Sequence, residues 1–285
     1  MSVRAWPAAL VVTVLAAVPT LAQTPLFSSR VEGVRLDVLV TQGSVPVAGL
    51  RPEDFEVRDN GIVQPIDLVN LGDVPVHVVL TLDTSASVEG SRLTVLRQAG
   101  ESLLGALNPD DAAALVTFNR AVMHQVPLTR QLDLVRRGLR RTEAWGDTSL
   151  VDAALAAMLL GDTDAGRTLV VMFSDGVDTA SFVEPEMAIE TARRVNGVLY
   201  GVSSAREESS FLRDVAAATG GRVFDVGKTG DPGPAFLEIL QEFRRRYVIT
   251  FTPMGVAPGG WHTLEVRVKR PGTRVQARAG YFSAK

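Results

Sequence analysis

The feature that most constrains the fold is a regular alternation of short apolar runs and helix-like segments between residues 76 and 243. The apolar runs with the length and composition of buried strands are 76–83, 112–118, 168–173 and 198–202. Between them, apolar residues recur with helical spacing, as in the segment that follows Ser91. Buried strands separated by amphipathic helices are typical of a mainly parallel sheet covered on both faces. We therefore predict a doubly wound α/β fold for this region.

The segments on either side of this region have the period of strands. Val34, Leu36 and Val38 alternate with polar neighbours, and Asn60-Gly61 is typical of a hairpin turn. The same period returns between residues 247 and 281. Each arm is too short to hold a core alone, so we expect both to share a small β-sandwich in which the α/β domain is inserted. The predicted boundaries are 1–22 for a signal peptide, 23–75 and 244–285 for the β arms, and 76–243 for the α/β domain.

The first 22 residues have the pattern of an export signal. Arg4 precedes an apolar run over residues 8–18, and Thr20-Leu21-Ala22 offers a small-residue cleavage site. This run is shorter than the roughly 20 residues that span a bilayer. We therefore expect an exported chain, periplasmic or secreted, with no transmembrane span in its mature form.

Composition excludes several classes of function. The chain has no cysteine, which removes disulfides, thiolate metal sites and a Cys nucleophile. Its formal net charge is −3, and loss of Arg4 with the signal peptide would make it more negative, so bulk attraction to nucleic acid is not expected. No glycine-rich phosphate loop follows the first strand of the α/β region.

Polar side chains with oxygen donors follow several strands of the predicted sheet. Asp83, Ser85 and Ser87 come at the end of the first strand, Thr148 precedes a helix, and Asp175 ends a later strand. Ligands of such folds bind beyond the carboxyl ends of the strands. Two carboxylates and three hydroxyls suit a hard divalent cation such as Mg²⁺. Helix capping and turn formation are the competing explanation for each hydroxyl taken alone.

These residues carry a family resemblance. The string D-x-S-x-S, a Thr in the setting G-x-T-S-L, and S-D-G after a strand resemble the metal-ion-dependent adhesion site of von Willebrand factor type A domains. The similarity covers residues 76 to about 243, and the flanks "DFEVRDNG" and "YVITFTP…ARAGY" are more loosely similar to exported bacterial proteins of an acidobacterial type. The resemblance implies Mg²⁺ as cofactor, with Mn²⁺ or Ca²⁺ compatible with the same donors.

The resemblance also implies a function and a set of neighbouring residues. It implies a non-enzymatic module that binds a protein partner through an Asp or Glu carboxylate completing the shell of the ion. Asp147, Ser174 and Gly176 adjoin the ligands and are expected to support them. For Asp147 the alternative is a solvated N-cap of a helix starting at Thr148.

Two other functions stay open. One is an envelope scaffold in which the ion only tightens the loops. The other is a phosphatase-like hydrolase with Asp83 as nucleophile, although Ser85 stands where that chemistry needs a second acid.

The histidines and one basic run favour structural roles. His77 is expected at the edge of the core, while His124 and His262 have no acidic motif near them in sequence. A serine hydrolase would need such a base. Arg244-Arg245-Arg246 is interpreted as a solvated helix end facing the negative pole of the helix dipole.

Overall fold

The computed structural model describes residues 33–71, 74–161, 166–205 and 209–283. The predicted signal peptide lies outside these residues. Within the described ranges, no helix combines the length and apolar character needed to cross a membrane.

The region from residue 76 to residue 244 forms six strands and six helices. The strands are β6 (Val76–Asp83), β7 (Ala112–Phe118), β8 (Val122–Thr129), β9 (Arg167–Ser174), β10 (Gly197–Ser203) and β11 (Val223–Asp225). The helices are α1 (Ser91–Gly105), α2 (Leu132–Arg140), α3 (Leu150–Gly161), α4 (Pro185–Arg194), α5 (Ser210–Ala218) and α6 (Gly233–Arg244). β11 is the one strand here that the sequence pattern did not predict, because it has only three residues, none of them buried.

These strands form one sheet in the order β11-β10-β9-β6-β7-β8. All neighbours are parallel except β7 and β8, which are antiparallel. Alternate residues of β6 point to opposite faces, so that Leu80 packs in a core with α1, α2 and α6, while Val79 packs in a second core with α3, α4 and α5. The prediction of a mainly parallel sheet covered on both faces is confirmed.

The flanking segments form two antiparallel sheets. The strands are β1 (Val34–Gln42), β2 (Val45–Pro46), β3 (Phe55–Asp59), β4 (Ile62–Gln64), β5 (Leu68–Leu71), β12 (Tyr247–Phe251), β13 (Gly260–Val268), β14 (Thr273–Gln276) and β15 (Gly280–Ser283). One sheet has the order β14-β1-β12-β5 with β2 beside β1, and the other has the order β15-β13-β3-β4. Each sheet contains strands from both flanks, and a shared apolar core that includes Leu36, Phe55 and Tyr247 joins them.

The end of the C-terminal flank passes between the two sheets. The run TRVQARAGYF is divided into β14 and β15, which belong to different sheets. The interruption at residues 277–279 lets the chain pass from one sheet to the other. Gly220 lies against this interruption. A Cβ on Gly220 would stand only 2.7 Å from backbone atoms of Ala277 and Arg278.

Buried arginines join the central sheet to the flanking sheets. Arg167, at the start of β9, donates from Nε to Asp37 Oδ1 on β1 at 2.7 Å and from Nη2 to the carbonyl oxygen of Phe243 at 2.9 Å. Arg246 is fully buried, with Nε and Nη2 donating to the hydroxyl of Tyr200 at 3.0 and 2.8 Å. The expected solvated helix end is therefore wrong for Arg246, because partners distant in sequence enclose it.

Asp111 bonds both the start and the end of the α/β region. Asp111 accepts the backbone N–H of Val76 on Oδ1 and the guanidinium of Arg244 on Oδ2, at 2.8 and 2.7 Å. Val76 begins the first strand of this region, and Arg244 ends its last helix. Both ends therefore lie together, at the edge of the sheet where the strands start.

Candidate metal centre

The candidate donors lie at the opposite edge of the sheet, where β6 and β9 end. Asp83 is the last residue of β6 and is fully buried. Its Oδ1 accepts the backbone N–H of Ser85 at 2.9 Å, and its Oδ2 accepts the hydroxyl of Ser174, the last residue of β9, at 2.7 Å. These hydrogen bonds fix both oxygens of the carboxylate relative to the two strand ends.

The environment of Asp83 disfavours its negative charge. Burial raises the pKa of this carboxyl to about 6, although hydrogen bonds from Ser85 and Ser174 lower it and the charge of Asp175 raises it further. A divalent cation beside Asp83 would stabilise the ionised form. The carboxyl group thus gains more from a nearby cation than an exposed carboxylate would.

Ser85 and Ser87 lie against each other and against Asp175. The two serine hydroxyls are 2.9 Å apart, and Ser87 Oγ donates to Asp175 Oδ1 at 2.6 Å. Residues 86–88 form a 3₁₀ turn. This turn brings Ser87 back toward Ser85.

Thr148 reaches the same place from a third loop. It is buried, and its Oγ1 lies 3.6 Å from the point where a Cβ on Gly176 would stand, next to Asp175. Its backbone N–H donates to Thr179 Oγ1 at 3.0 Å, and its carbonyl oxygen accepts the N–H groups of Thr179 and Ala180. The loop after Asp175 therefore holds Thr148 in place beside the other donors.

Asp147 does not cap a helix that starts at Thr148, because α3 begins at Leu150. Instead, Ser181 Oγ accepts the N–H groups of Val151 and Asp152 at 3.1 Å each. Asp147 itself is exposed on the loop that precedes Thr148. Its expected role in supporting the ligands stays a prediction.

Arg92 is a residue of this site that sequence reasoning missed. Its Nη1 donates to the carbonyl oxygen of Ser87 at 3.0 Å and to Asp175 Oδ2 at 3.2 Å. The side chain of Arg92 is 67% exposed, whereas that of Asp175 is 4% exposed. Arg92 follows the first residue of α1 and belongs to no motif, so only its position five residues after Ser87 could have indicated the contact.

The donor set fits a hard divalent cation. In an octahedron with metal–oxygen distances of about 2.1 Å, adjacent oxygens are about 3 Å apart. The Ser85–Ser87 and Ser87–Asp175 oxygen separations of 2.9 and 2.6 Å are close to this value. Across the described ranges, no group of three or more His, Cys, Asp or Glu side chains could hold a metal ion, so an ion here would depend on the hydroxyls.

The three histidines lie away from these donors. His77 is buried near the start of β6 beside Gly166, and His124 is exposed on β8. His262 is buried in the flanking sheets, where its Nδ1 is 2.8 Å from Asp59 Oδ1. No sequence pattern indicates this pair, since its two members are 203 positions apart.

Comparisons with known proteins agree with this fold. Residues 78–177 match the family model of the von Willebrand factor type A domain. Inter-alpha-trypsin inhibitor heavy chain H4 from Bos taurus is 22% identical over 243 residues, which are 79% of this chain and 26% of that protein. The chain therefore spans about a quarter of the length of this curated relative.

Two solved structures illustrate the likeness. The von Willebrand factor type A protein from Catenulispora acidiphila has a TM-score of 0.54 at 14% identity, covering 80% of this chain and 74% of that one. Proximal thread matrix protein 1 from the mussel byssus, with a zinc-occupied MIDAS motif, has a TM-score of 0.50 at 14% identity, covering 65% and 49%. At such identities the likeness shows the fold alone. The family model adds a sequence match to von Willebrand factor type A domains over residues 78–177, which is about a third of this chain.

Proposed function

We propose that this chain is an exported, non-enzymatic binding protein that engages a protein partner through a divalent cation. The proposed ligands are Asp83, Ser85, Ser87, Thr148 and Asp175, with Mg²⁺ as the expected ion and Mn²⁺ or Ca²⁺ as alternatives. The bound ion would supply a positive centre that accepts an Asp or Glu carboxylate of the partner. Export, to the periplasm or beyond, rests on the apolar segment at residues 8–18.

One observation carries this proposal. Oxygen donors from three separate loops converge at the carboxyl edge of the sheet, and hydrogen bonds link Ser85, Ser87 and Asp175 while Ser174 fixes Asp83. If the hydroxyls supply much of the inner shell, the ion keeps part of its charge for an incoming carboxylate. This chemistry suits the binding of an acidic side chain.

The scaffold alternative has less support. Protein hydrogen bonds already join the loops, since Trp145 N–H donates to the carbonyl oxygen of Thr84 and Ala86 N–H donates to that of Gly146. An ion is therefore not needed to connect them. The hydrolase alternative has no support from Ser85, whose backbone and hydroxyl lie beside Asp83 in place of an acid.

The proposal includes a domain organisation. Residues 76–243 are the binding domain, and residues 23–75 and 244–285 are the arms that carry it, with 1–22 as the signal peptide. The donors lie at one edge of the sheet, and Arg167 meets the β1 strand at the other. Seven residue steps along β9 separate these edges by about 23 Å, so the site would face away from the arms.

Removal of one hydroxyl tests the proposal. We expect Ser85→Ala to lower Mg²⁺ affinity in titration calorimetry by about tenfold or more, because an inner-shell oxygen is lost. Ser102→Ala is the matched control, since Ser102 is an exposed serine on α1 that bonds the Gln98 carbonyl. Circular dichroism establishes that both variants are folded.

Partner capture completes this test. A pull-down from envelope extract with Mg²⁺ and with EDTA should recover a partner only with the ion, and only with the wild type and Ser102→Ala. Failure of the wild type to bind Mg²⁺ or Mn²⁺ at millimolar concentrations would refute the metal centre. A partner retained in EDTA would instead favour the scaffold, and turnover of generic phosphate esters would favour the hydrolase.

A further inference from the structure

Three exposed apolar side chains lie on the loops that carry or contact the candidate donors. Trp145, Val177 and Phe182 are 56, 61 and 91% exposed, and Phe182 has the highest exposure of any large apolar side chain in the described ranges. We call these three residues the apolar rim. Each belongs to a loop that also holds a candidate donor or contacts one.

Hydrogen bonds and chain position link the rim residues to the donor loops. Trp145 N–H bonds the carbonyl oxygen of Thr84, between Asp83 and Ser85. Val177 is the second residue after Asp175. Phe182 N–H donates to both oxygens of the Asp152 carboxylate at 3.1 Å, and Asp152 lies in the first turn of α3, the helix that follows Thr148 in the chain.

The two aromatic rings of the rim lack the contacts that cover other exposed rings. Trp261 and Phe282 are 37 and 40% exposed, but the guanidinium groups of Arg193 and Arg194 lie over them. Among the residues that the structure describes, no ring or guanidinium covers Trp145 or Phe182. Aromatic side chains on a fixed backbone bind apolar partners at low entropic cost.

Charge around the rim restricts the partner further. Over the whole site, the formal charges of Asp83 and Asp175 would balance those of a divalent ion, and Arg92 would then add a positive charge beside Asp175. Arg120 is also exposed, and its Cβ lies 3.6 Å from the point where a Cβ on Gly146 would stand. Asp147, exposed on the loop of Trp145, opposes a second acidic residue on the partner. The mouth therefore favours one carboxylate over an acidic run.

We propose that the partner presents a single Asp or Glu flanked by aromatic or large aliphatic residues, which pack on Trp145, Val177 and Phe182 while the carboxylate meets the ion. This inference rests on the proposed function and specifies the chemistry of its partner. It also assigns a role to the high exposure of Phe182, whose backbone is held by Asp152.

Blocked synthetic peptides test this proposal with the full mature chain. The probes contain Phe-Asp-Leu, Ser-Asp-Ser, Asp-Asp-Asp or Phe-Asn-Leu between glycines, and binding is measured by calorimetry in Mg²⁺ and in EDTA. We expect Phe-Asp-Leu to bind about tenfold more tightly than either other acidic peptide, and only in Mg²⁺. Phe-Asn-Leu should not bind.

Two variants separate the rim from the ion. Phe182→Ser should weaken Phe-Asp-Leu binding about tenfold and leave both Ser-Asp-Ser binding and Mg²⁺ affinity unchanged. Leu159→Ser is the matched control, because Leu159 is 53% exposed near the far end of α3 and should have no effect on any probe.

Several results would overturn the inference. Equal Mg²⁺-dependent binding of the three acidic peptides, or binding of none of them by the Mg²⁺-loaded chain, would remove the rim from partner recognition. Mg²⁺-dependent self-association that Phe182→Ser abolishes, with no peptide preference, would assign the rim to a second copy of the chain. Absence of Mg²⁺ binding, or peptide binding that survives EDTA, would refute the proposed function itself.

Discussion

Replacement of Asp83 by Asn should stabilise the protein in EDTA while abolishing its response to Mg²⁺. The pKa of Asp83 is raised from 3.8 to about 6 by burial, so the folded protein holds this proton more tightly than the unfolded chain does. The free energy of unfolding therefore falls as pH rises from about 4 to about 6, and it stays lower above that range. A shift of about 2 pKa units corresponds to about 3 kcal/mol.

The structure allows an amide in this position. An Asn Oδ1 can accept the Ser85 N–H, and its Nδ2 can donate to Ser174 Oγ, whose own proton can turn toward the carbonyl oxygen of Gly176 at 3.4 Å. The backbone N–H of Ser85 and the hydroxyl of Ser174 both keep a partner in this arrangement. We expect Asp83→Asn to raise the free energy of unfolding in EDTA near pH 7.5 by about 1–3 kcal/mol.

In Mg²⁺ the wild type should instead be more stable than Asp83→Asn. A wild-type chain with the ion at about 100 times its Kd gains about 2.7 kcal/mol, and the variant gains nothing. The measurement is urea unfolding by circular dichroism near pH 5 and pH 7.5, in EDTA and in Mg²⁺. Asp214→Asn, at an exposed position on α5, is the control. If Asp83→Asn is less stable than the wild type in EDTA near pH 7.5, the reasoning from the buried charge is wrong.

Two further predictions concern Arg92 and the flanking sheets. Arg92→Ala should tighten Mg²⁺ binding several-fold in calorimetry, because it removes a cation that pairs with Asp175; unchanged or weaker binding would contradict this role. Asp59→Ala should lower the free energy of unfolding by about 2–4 kcal/mol in urea, because it leaves the ring of His262 and the hydroxyl of Tyr281 buried without their shared acceptor. Its Mg²⁺ affinity should equal that of the wild type, and a change there would show that the arms affect the metal centre.

The sequence predicted the central sheet because its strands are buried on both faces. Runs such as 76–83 and 168–173 are apolar throughout, and their helical neighbours have a clear period. The same logic placed Asp83 and Asp175 at one edge, since parallel strands end together. These features depend on local pattern and on topology alone.

What the sequence did not predict depends on partners distant along the chain. Arg246 looked like part of a solvated run, yet the hydroxyl of Tyr200, 46 positions away, accepts two of its hydrogen bonds in the interior. His262 looked unpaired, although Asp59 lies beside it. Arg92 contacts Asp175 from outside the motif. Such contacts leave no periodic signal in the sequence.

Asp111 has a consequence for the order of assembly. Val38 on β1 pairs with Tyr247 on β12, so the flanking sheets require two segments that synthesis produces far apart in time. Closing a flexible loop of about 200 residues costs about 5 kcal/mol of entropy. Once the α/β region has folded, Asp111 holds Val76 and Arg244 together, and most of that cost has already been met. The strands of the two β arms would then pair last, after the α/β domain between them has folded.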